Sequence, residues 1–158
     1  FPTAMQWLDI GSGGGFPGLV VACFMADRPG ARVHLVESNE RKCAFLRRVA
    51  SEARLPATVH RGRIEAILQG WAQPVDRVTA RAVAPLSRLL DMAAPVLTRG
   101  IPAAFHKGRD FEGEIDEASK SWAFDLVIHK SRIEEGGVIL GITRLARKNG
   151  HPAGQDRP

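Results

Sequence analysis

The feature that most constrains this chain is a cluster of five glycines in eight residues, Gly11, Gly13, Gly14, Gly15 and Gly18, set between two apolar segments. Residues 5–10 (MQWLDI) read as a buried strand that the glycines end. Residues 16–26 are apolar almost all round, and Pro17 suits a first helical turn, so a buried helix is predicted there. Two glycine frames overlap in the loop: Gly11, Gly13, Gly15, and the G-x-G-x-x-G of Gly13, Gly15, Gly18. Glycines permit positive φ and let a ligand approach the backbone with no Cβ in the way, and the following helix offers unpaired N–H groups. A tight strand-to-helix turn could use the same residues, so the glycines alone do not decide for a ligand.

The rest of the chain repeats the pattern. Short apolar runs alternate with amphipathic stretches, the signature of an α/β sheet with helices on both faces. Strands are predicted at 32–37, 57–61, 76–83, 102–107, 124–129 and 138–145. Helices are predicted after Ser38 or Asn39, at 64–68, from Pro85 to Leu97, and at 112–120. The second helix should bury Leu46, Val49, Ala50 and Ala53, which fall at i, i+3, i+4 and i+7. The last two strands are joined by residues 131–137, too few for a crossover helix, so they should be antiparallel. No internal repeat or second domain is visible, and residues 149–158 form a Gly, Pro and polar tail expected to be disordered.

Composition narrows the class. A chain of 158 residues with 44% hydrophobic and 25% charged residues is one ordinary globular domain. The longest apolar run, residues 19–26, has eight residues where a spanning helix needs about 20, so no membrane is expected. Two cysteines, Cys23 and Cys43, make no disulfide framework and point to a reducing cytoplasm, with both thiols structural. The opening Phe1-Pro2 is not a translation start, which implies that the natural chain extends upstream. A net charge of +5 favours polyanionic partners only weakly.

The ligand class turns on two carboxylates. Glu37, at the end of the second strand, is placed to accept hydrogen bonds from two ribose hydroxyls. Asp9 stands two residues before the first glycine, where a negative charge would oppose a pyrophosphate but suits the sulfonium and ammonium of S-adenosylmethionine. The residues therefore favour S-adenosyl-L-methionine over NAD.

The sequence also resembles a named family. Asp9-Ile10-Gly11-Ser12-Gly13-Gly14-Gly15-Phe16-Pro17-Gly18, Glu37-Ser38, Arg41-Lys42-x-x-Phe45-Leu46, Arg63-Ile64-Glu65, Arg81-Ala82 and His106-Lys107-Gly108 resemble the RsmG (GidB) 16S ribosomal RNA methyltransferases, over residues 7–148. The resemblance implies a class I, Rossmann-like methyltransferase with a seven-stranded, mostly parallel sheet whose last strand is antiparallel. It implies methyl transfer to nitrogen-7 of a guanine in 16S rRNA, on free rRNA or within the small ribosomal subunit. Gly11, Phe16, Ile64, Glu65 and Arg81 fall at the family's cofactor-binding positions, beside Asp9, Gly13 and Glu37. The family carries a helical N-terminal segment, whereas this chain starts just before its first strand, so residues 1–148 should be the methyltransferase domain alone.

The chemistry agrees with the residue inventory. Guanine nitrogen-7 has a free lone pair and no proton to lose, so no general base is required and alignment supplies the rate. Arg81, at the end of the fourth strand, is the candidate catalytic residue. His106, Lys107, Arg109, Lys130 and Arg132 follow the fifth and sixth strands and are expected to form a substrate rim. His34, His60, His106 and His129 sit on separate strands without metal spacing, so no metal is inferred. Oligomeric state leaves no trace in the sequence. Methylation of another RNA, a protein or a small molecule, an NAD-dependent oxidoreductase, and a binding module without turnover remain the competing readings.

Overall fold

The computed structural model describes residues 3–132 and 135–148. Runs of Val, Ile, Leu and Ala too short for helices pair side by side, because only a ladder satisfies their backbone groups once the side chains are buried. They form β1 (Gln6–Ile10), β2 (Arg32–Glu37), β3 (Ala57–Arg61), β4 (Arg77–Arg81), β5 (Ala103–Lys107), β6 (Trp122–Lys130) and β7 (Val138–Arg147). These make one sheet in the order β3-β2-β1-β4-β5-β7-β6. Every pairing is parallel except those of β7, which runs antiparallel to both β5 and β6. The α/β class and the antiparallel last strand expected above are therefore present.

The connecting helices are α1 (Gly18–Met25), α2 (Glu40–Glu52), α3 (Ile64–Gln69), α4 (Leu86–Leu97) and α5 (Phe111–Ser121). Alternation along each strand divides the core. Leu8, Ile10, Phe105, Leu140 and Trp122 pack with α4 and its neighbours on one face, while Trp7, Val33 and Leu35 pack with Leu19, Ala22 and Leu46 on the other. Asn39 caps α2, its side chain accepting from the Lys42 amide at 3.1 Å.

Several boundaries moved, each for a local reason. The first helix begins at Gly18, not residue 16, with Pro17 standing at its cap. That helix is buried on one side only. Val20 and Phe24 are exposed, Phe24 by 78%, and Cys23 is exposed as well, which corrects the expectation of a fully buried helix with an interior thiol. In α2 the buried stripe is Cys43, Leu46 and Ala50, whereas Ala53 ends the helix in solvent. The fourth strand stops at Arg81 because Ala82 turns to a φ of +54°. The tail at 149–158 lies outside the described residues.

The sheet order places the functional ends together. The chain winds from β1 outward through β2 to β3, then returns to lay β4 on the other side of β1. At that reversal the loops after β1 and β4 diverge to opposite faces and leave a crevice at the carboxyl ends of the strands, where ligands of open α/β sheets bind.

Candidate functional site

The loop after β1 is held in shape by its glycines. Gly11, Gly13 and Gly15 have φ of +67°, +54° and +93°. At Gly11 the space also matters, since a Cβ there would stand 2.6 Å from Val83 Cγ2. Three of the loop's N–H groups are committed: Ser12 to the Val36 carbonyl at 2.9 Å, Gly15 to the Ser12 carbonyl at 2.7 Å, and Gly13 to Glu37 Oε2 at 2.8 Å. A pyrophosphate would need such groups free.

Glu37 is buried and ties the loop to the next helix, its other oxygen accepting from the Asn39 amide at 2.7 Å. Two of its roughly four lone-pair sites are used, which leaves acceptors for the vicinal hydroxyls of a ribose. Glu37 lines a hollow of about 230 Å³ with Gly11, Ile64, Glu65, Val83 and Met92. The structure thus brings Gly11, Glu37, Ile64 and Glu65 to one cavity, with Gly13 bonded to its edge.

Asp9 is placed differently. Its carboxylate does not line the hollow; it lies beneath the loop, 1% exposed, with Oδ1 accepting the Thr79 hydroxyl at 2.6 Å. A Cβ on Gly18 would come within 2.6 Å of Asp9 Oδ2, so the carboxyl sits under the first residue of α1. Burial pushes its pKa up to about 6, against the pull of the Thr79 and Ser12 side chains, the Gly18 amide and the Arg81 charge. Asp9 therefore braces β1, β4 and α1 against one another from below.

A second hollow of about 780 Å³ opens beyond Val83 and Ala84, which wall both cavities. It is lined by Arg81, His106, Lys107, Glu114, Lys130 and Arg132 among others. Arg81 pairs with His106 across β4 and β5, and its Nε lies 3.4 Å from the Phe16 carbonyl with the guanidinium 5.8 Å from the Phe16 ring centre. Phe16 is 56% exposed beside Arg81 and lines neither hollow. Burial, and secondarily the Arg81 charge, hold the His106 imidazole below its usual pKa range. Lys130 and Arg132 stand exposed on the rim. Arg109 does not line the hollow; its stem lies against Gly136, where a Cβ would meet its Cγ at 2.7 Å. Lys107 does line it, but its ammonium is turned inward to Glu114 and the Ala84 carbonyl, each at 2.6 Å. Among the described residues, no group of three or more His, Cys, Asp or Glu side chains is arranged to hold a metal, and no helix is long and apolar enough to cross a membrane.

Comparison with known proteins settles the family. A family model described as rRNA small subunit methyltransferase G (GidB) matches residues 2–137. The chain belongs to that family. Ribosomal RNA small subunit methyltransferase G of Brucella anthropi is 52% identical over 145 residues, covering 92% of this chain and 68% of the relative. The protein of the same name from Brucella ovis is 52% identical over 151 residues, covering 94% of this chain and 70% of the relative. Among solved structures, a mutant of MtNAS in complex with S-adenosylmethionine superposes with a TM-score of 0.63 at 15% identity, over 88% of this chain and 54% of that one. The fibrillarin/Nop5p complex gives 0.69 at 13% identity, over 89% and 72%. At such identities the likeness is one of fold, that of class I methyltransferases.

Sequence reasoning missed three parts of the site in this GidB family member. Thr79 grips Asp9 from the neighbouring strand, Val83 closes the Gly11 side of the smaller hollow, and Glu114 neutralises Lys107 from the first turn of α5. A Thr inside a strand, a Val in a loop and one acid among the four of α5 carry no signal until the fold sets their neighbours.

Proposed function

We infer that this chain is an S-adenosyl-L-methionine-dependent methyltransferase that transfers a methyl group to nitrogen-7 of a guanine in 16S rRNA, acting in the cytoplasm on the small ribosomal subunit or its RNA. The observation that carries the reading is Glu37. Its carboxylate occupies the Gly13 amide and faces a hollow beside Ile64 and Glu65, an arrangement for a nucleoside without phosphates, in a chain that belongs to the GidB family. The same observation disfavours the NAD-dependent alternative.

The residues fit the donor. Gly11 leaves room for it, Glu37 offers acceptors to its ribose, and Ile64 and Glu65 border the space for its base. When bound, the donor supplies an electrophilic methyl carbon on a sulfonium. Arg81 links the glycine loop, through Phe16, to the larger hollow, where it meets a phosphate of the RNA or the donor itself. The target nitrogen arrives with its lone pair free, so His106, held neutral, is not required to take a proton. Phe16 offers an exposed ring beside Arg81, suited to a flat base. Lys130, Arg132 and Arg109 supply cations for the RNA backbone, and residues 1–148 act as one methyltransferase domain.

The test is to incubate the protein with methyl-labelled donor and 16S rRNA or small subunits, and to locate the label by mass analysis. Label on guanine nitrogen-7 is expected. No transfer, together with no heat from S-adenosylhomocysteine but binding of NADH, would overturn the reading.

A further inference from the structure

Lys107 lines the larger hollow, yet only 8% of its side chain is exposed. Its Nζ donates to the Ala84 carbonyl at 2.6 Å and stands 2.6 Å from Glu114 Oε2, and that same oxygen accepts the Leu86 amide at 2.6 Å. Two side chains, one from the end of β5 and one from the first turn of α5, thus grip the backbone on both sides of Pro85.

Leu86 is anchored in the core and the Pro85 carbonyl accepts the Leu89 amide at 2.9 Å, but the turn leading into Pro85 is less well held. Ala82 adopts a φ of +54°, unusual for a residue with a Cβ, and α4 starts after Pro85 with no side-chain cap of its own. The Leu86 amide is one of the donors that every helix start leaves unpaired, and Glu114 satisfies it from another helix. Residues 83 and 84 form the wall between the two hollows, and Val83 lies against Gly11. A shift of this segment would move both cavities at once.

We propose that the Lys107–Glu114 ion pair is a positioning device that fixes the wall at residues 83–86 and thereby sets the alignment of methyl donor and acceptor base. The proposal rests on the activity inferred above. It gives Lys107 a different task from the phosphate contact expected of a basic residue after β5. Reaching for a phosphate would strip Glu114 and the Ala84 carbonyl of their partner, and breaking such a sheltered pair is costly. Alignment is where the rate of an in-line transfer resides, and about 1 Å of misplacement costs about 100-fold.

The variants are Lys107→Met and Glu114→Gln, with Lys107→Arg as the conservative replacement. In folded Lys107→Met, kcat for rRNA methylation should fall about 100-fold with KM for rRNA little changed. The Leu86 amide should exchange with solvent at least about tenfold faster while amides of β1 and β2 keep their rates. Glu114→Gln should show the same pattern, weaker at Leu86 because the amide oxygen still accepts, and Lys107→Arg should recover part of kcat. A raised KM for rRNA with unchanged kcat and unchanged Leu86 exchange would make Lys107 a phosphate contact and overturn the proposal. Faster exchange at all amides together, following a lower unfolding midpoint, would make the pair merely stabilising and overturn it too. If the unaltered chain moves no methyl onto rRNA, the activity reading fails by itself. The pair is then judged on Leu86 exchange and on S-adenosylhomocysteine affinity, expected to drop about tenfold in Lys107→Met, and an affinity left intact overturns the proposal.

Discussion

The two hollows are built on opposite principles. The smaller is shaped by close, fixed contacts, with Gly11 pressed against Val83 and Glu37 locked onto the amides of Gly13 and Asn39. The larger is made of side chains arriving from the ends of β4, β5 and β6, with Arg81, Lys130 and Arg132 at its mouth and the Lys107–Glu114 pair within. A cavity fixed by a glycine contact and a doubly bonded carboxylate tolerates little change at those points and suits a ligand that never varies. A cavity of exposed cations tolerates substitution and suits a large, flexible polyanion whose affinity is the sum of many weak contacts.

That contrast ranks the expected effects of mutation. Gly11→Val places a branched side chain where even a Cβ stands 2.6 Å from Val83, at a φ that β-branched residues avoid. Its cost should be about 3 kcal/mol of donor affinity, about 100-fold, read by titration with S-adenosylhomocysteine. Near-normal binding would mean that the smaller hollow is not the donor site.

The foundation of the same hollow gives an effect of similar size on stability. Asp9 has a folded pKa of about 6 against 3.8 ordinarily, so stability present below pH 3.8 is lost as pH rises to 6, about 3 kcal/mol in all. His34 runs the other way. Its pKa is pushed down to about 4, first by burial and then by His60, 3.0 Å away, and Arg32. Stability present above pH 6.5 is therefore lost as pH falls to 4, again by about 3 kcal/mol. Between pH 4 and 6 the two slopes oppose each other. Denaturant titrations across this range should show a steeper acid loss in Asp9→Asn than in the parent, and an unchanged slope would remove Asp9 from beneath the loop.

At the junction, Arg81→Ala should lower methyl transfer about 10- to 100-fold while the melting curve stays put, because Arg81 is exposed and bears no core. Unchanged turnover would sever the proposed link between the hollows. On the rim the effects should be smallest: Lys130→Ala or Arg132→Ala should raise KM for rRNA a few-fold and reduce the salt dependence of binding by about one unit of slope each, with donor affinity intact. A loss of donor affinity in either would erase the distinction between the two cavities.

The contrast also explains what could be read from the residues alone. The glycines and Glu37 were legible as site candidates because backbone conformation and strand-end position are local properties, whereas Ile64 and Glu65 were singled out only by the family resemblance. Asp9 was legible as important and misread in place: its position before the glycines suggested contact with a cationic ligand, while burial on a strand packed between β2 and β4 puts it under the loop. Lys107 shows the same limit. It reads as one more cation after a strand, and its partner lies seven residues on in a helix whose other acids, Glu112, Asp116 and Glu117, would have served as well on paper.

The sequence by itself determined the alternation of strand and helix, the glycine loop with its acidic strand-end neighbour, and the antiparallel pairing of the last two strands, since each depends on residues close together along the chain. Only the tertiary structure decided that β4 returns beside β1, that Val83 and Ala84 separate two cavities, and which charges meet across them. Those outcomes depend on the order of strands in the sheet, which packing of the whole core selects and no local stretch of residues encodes.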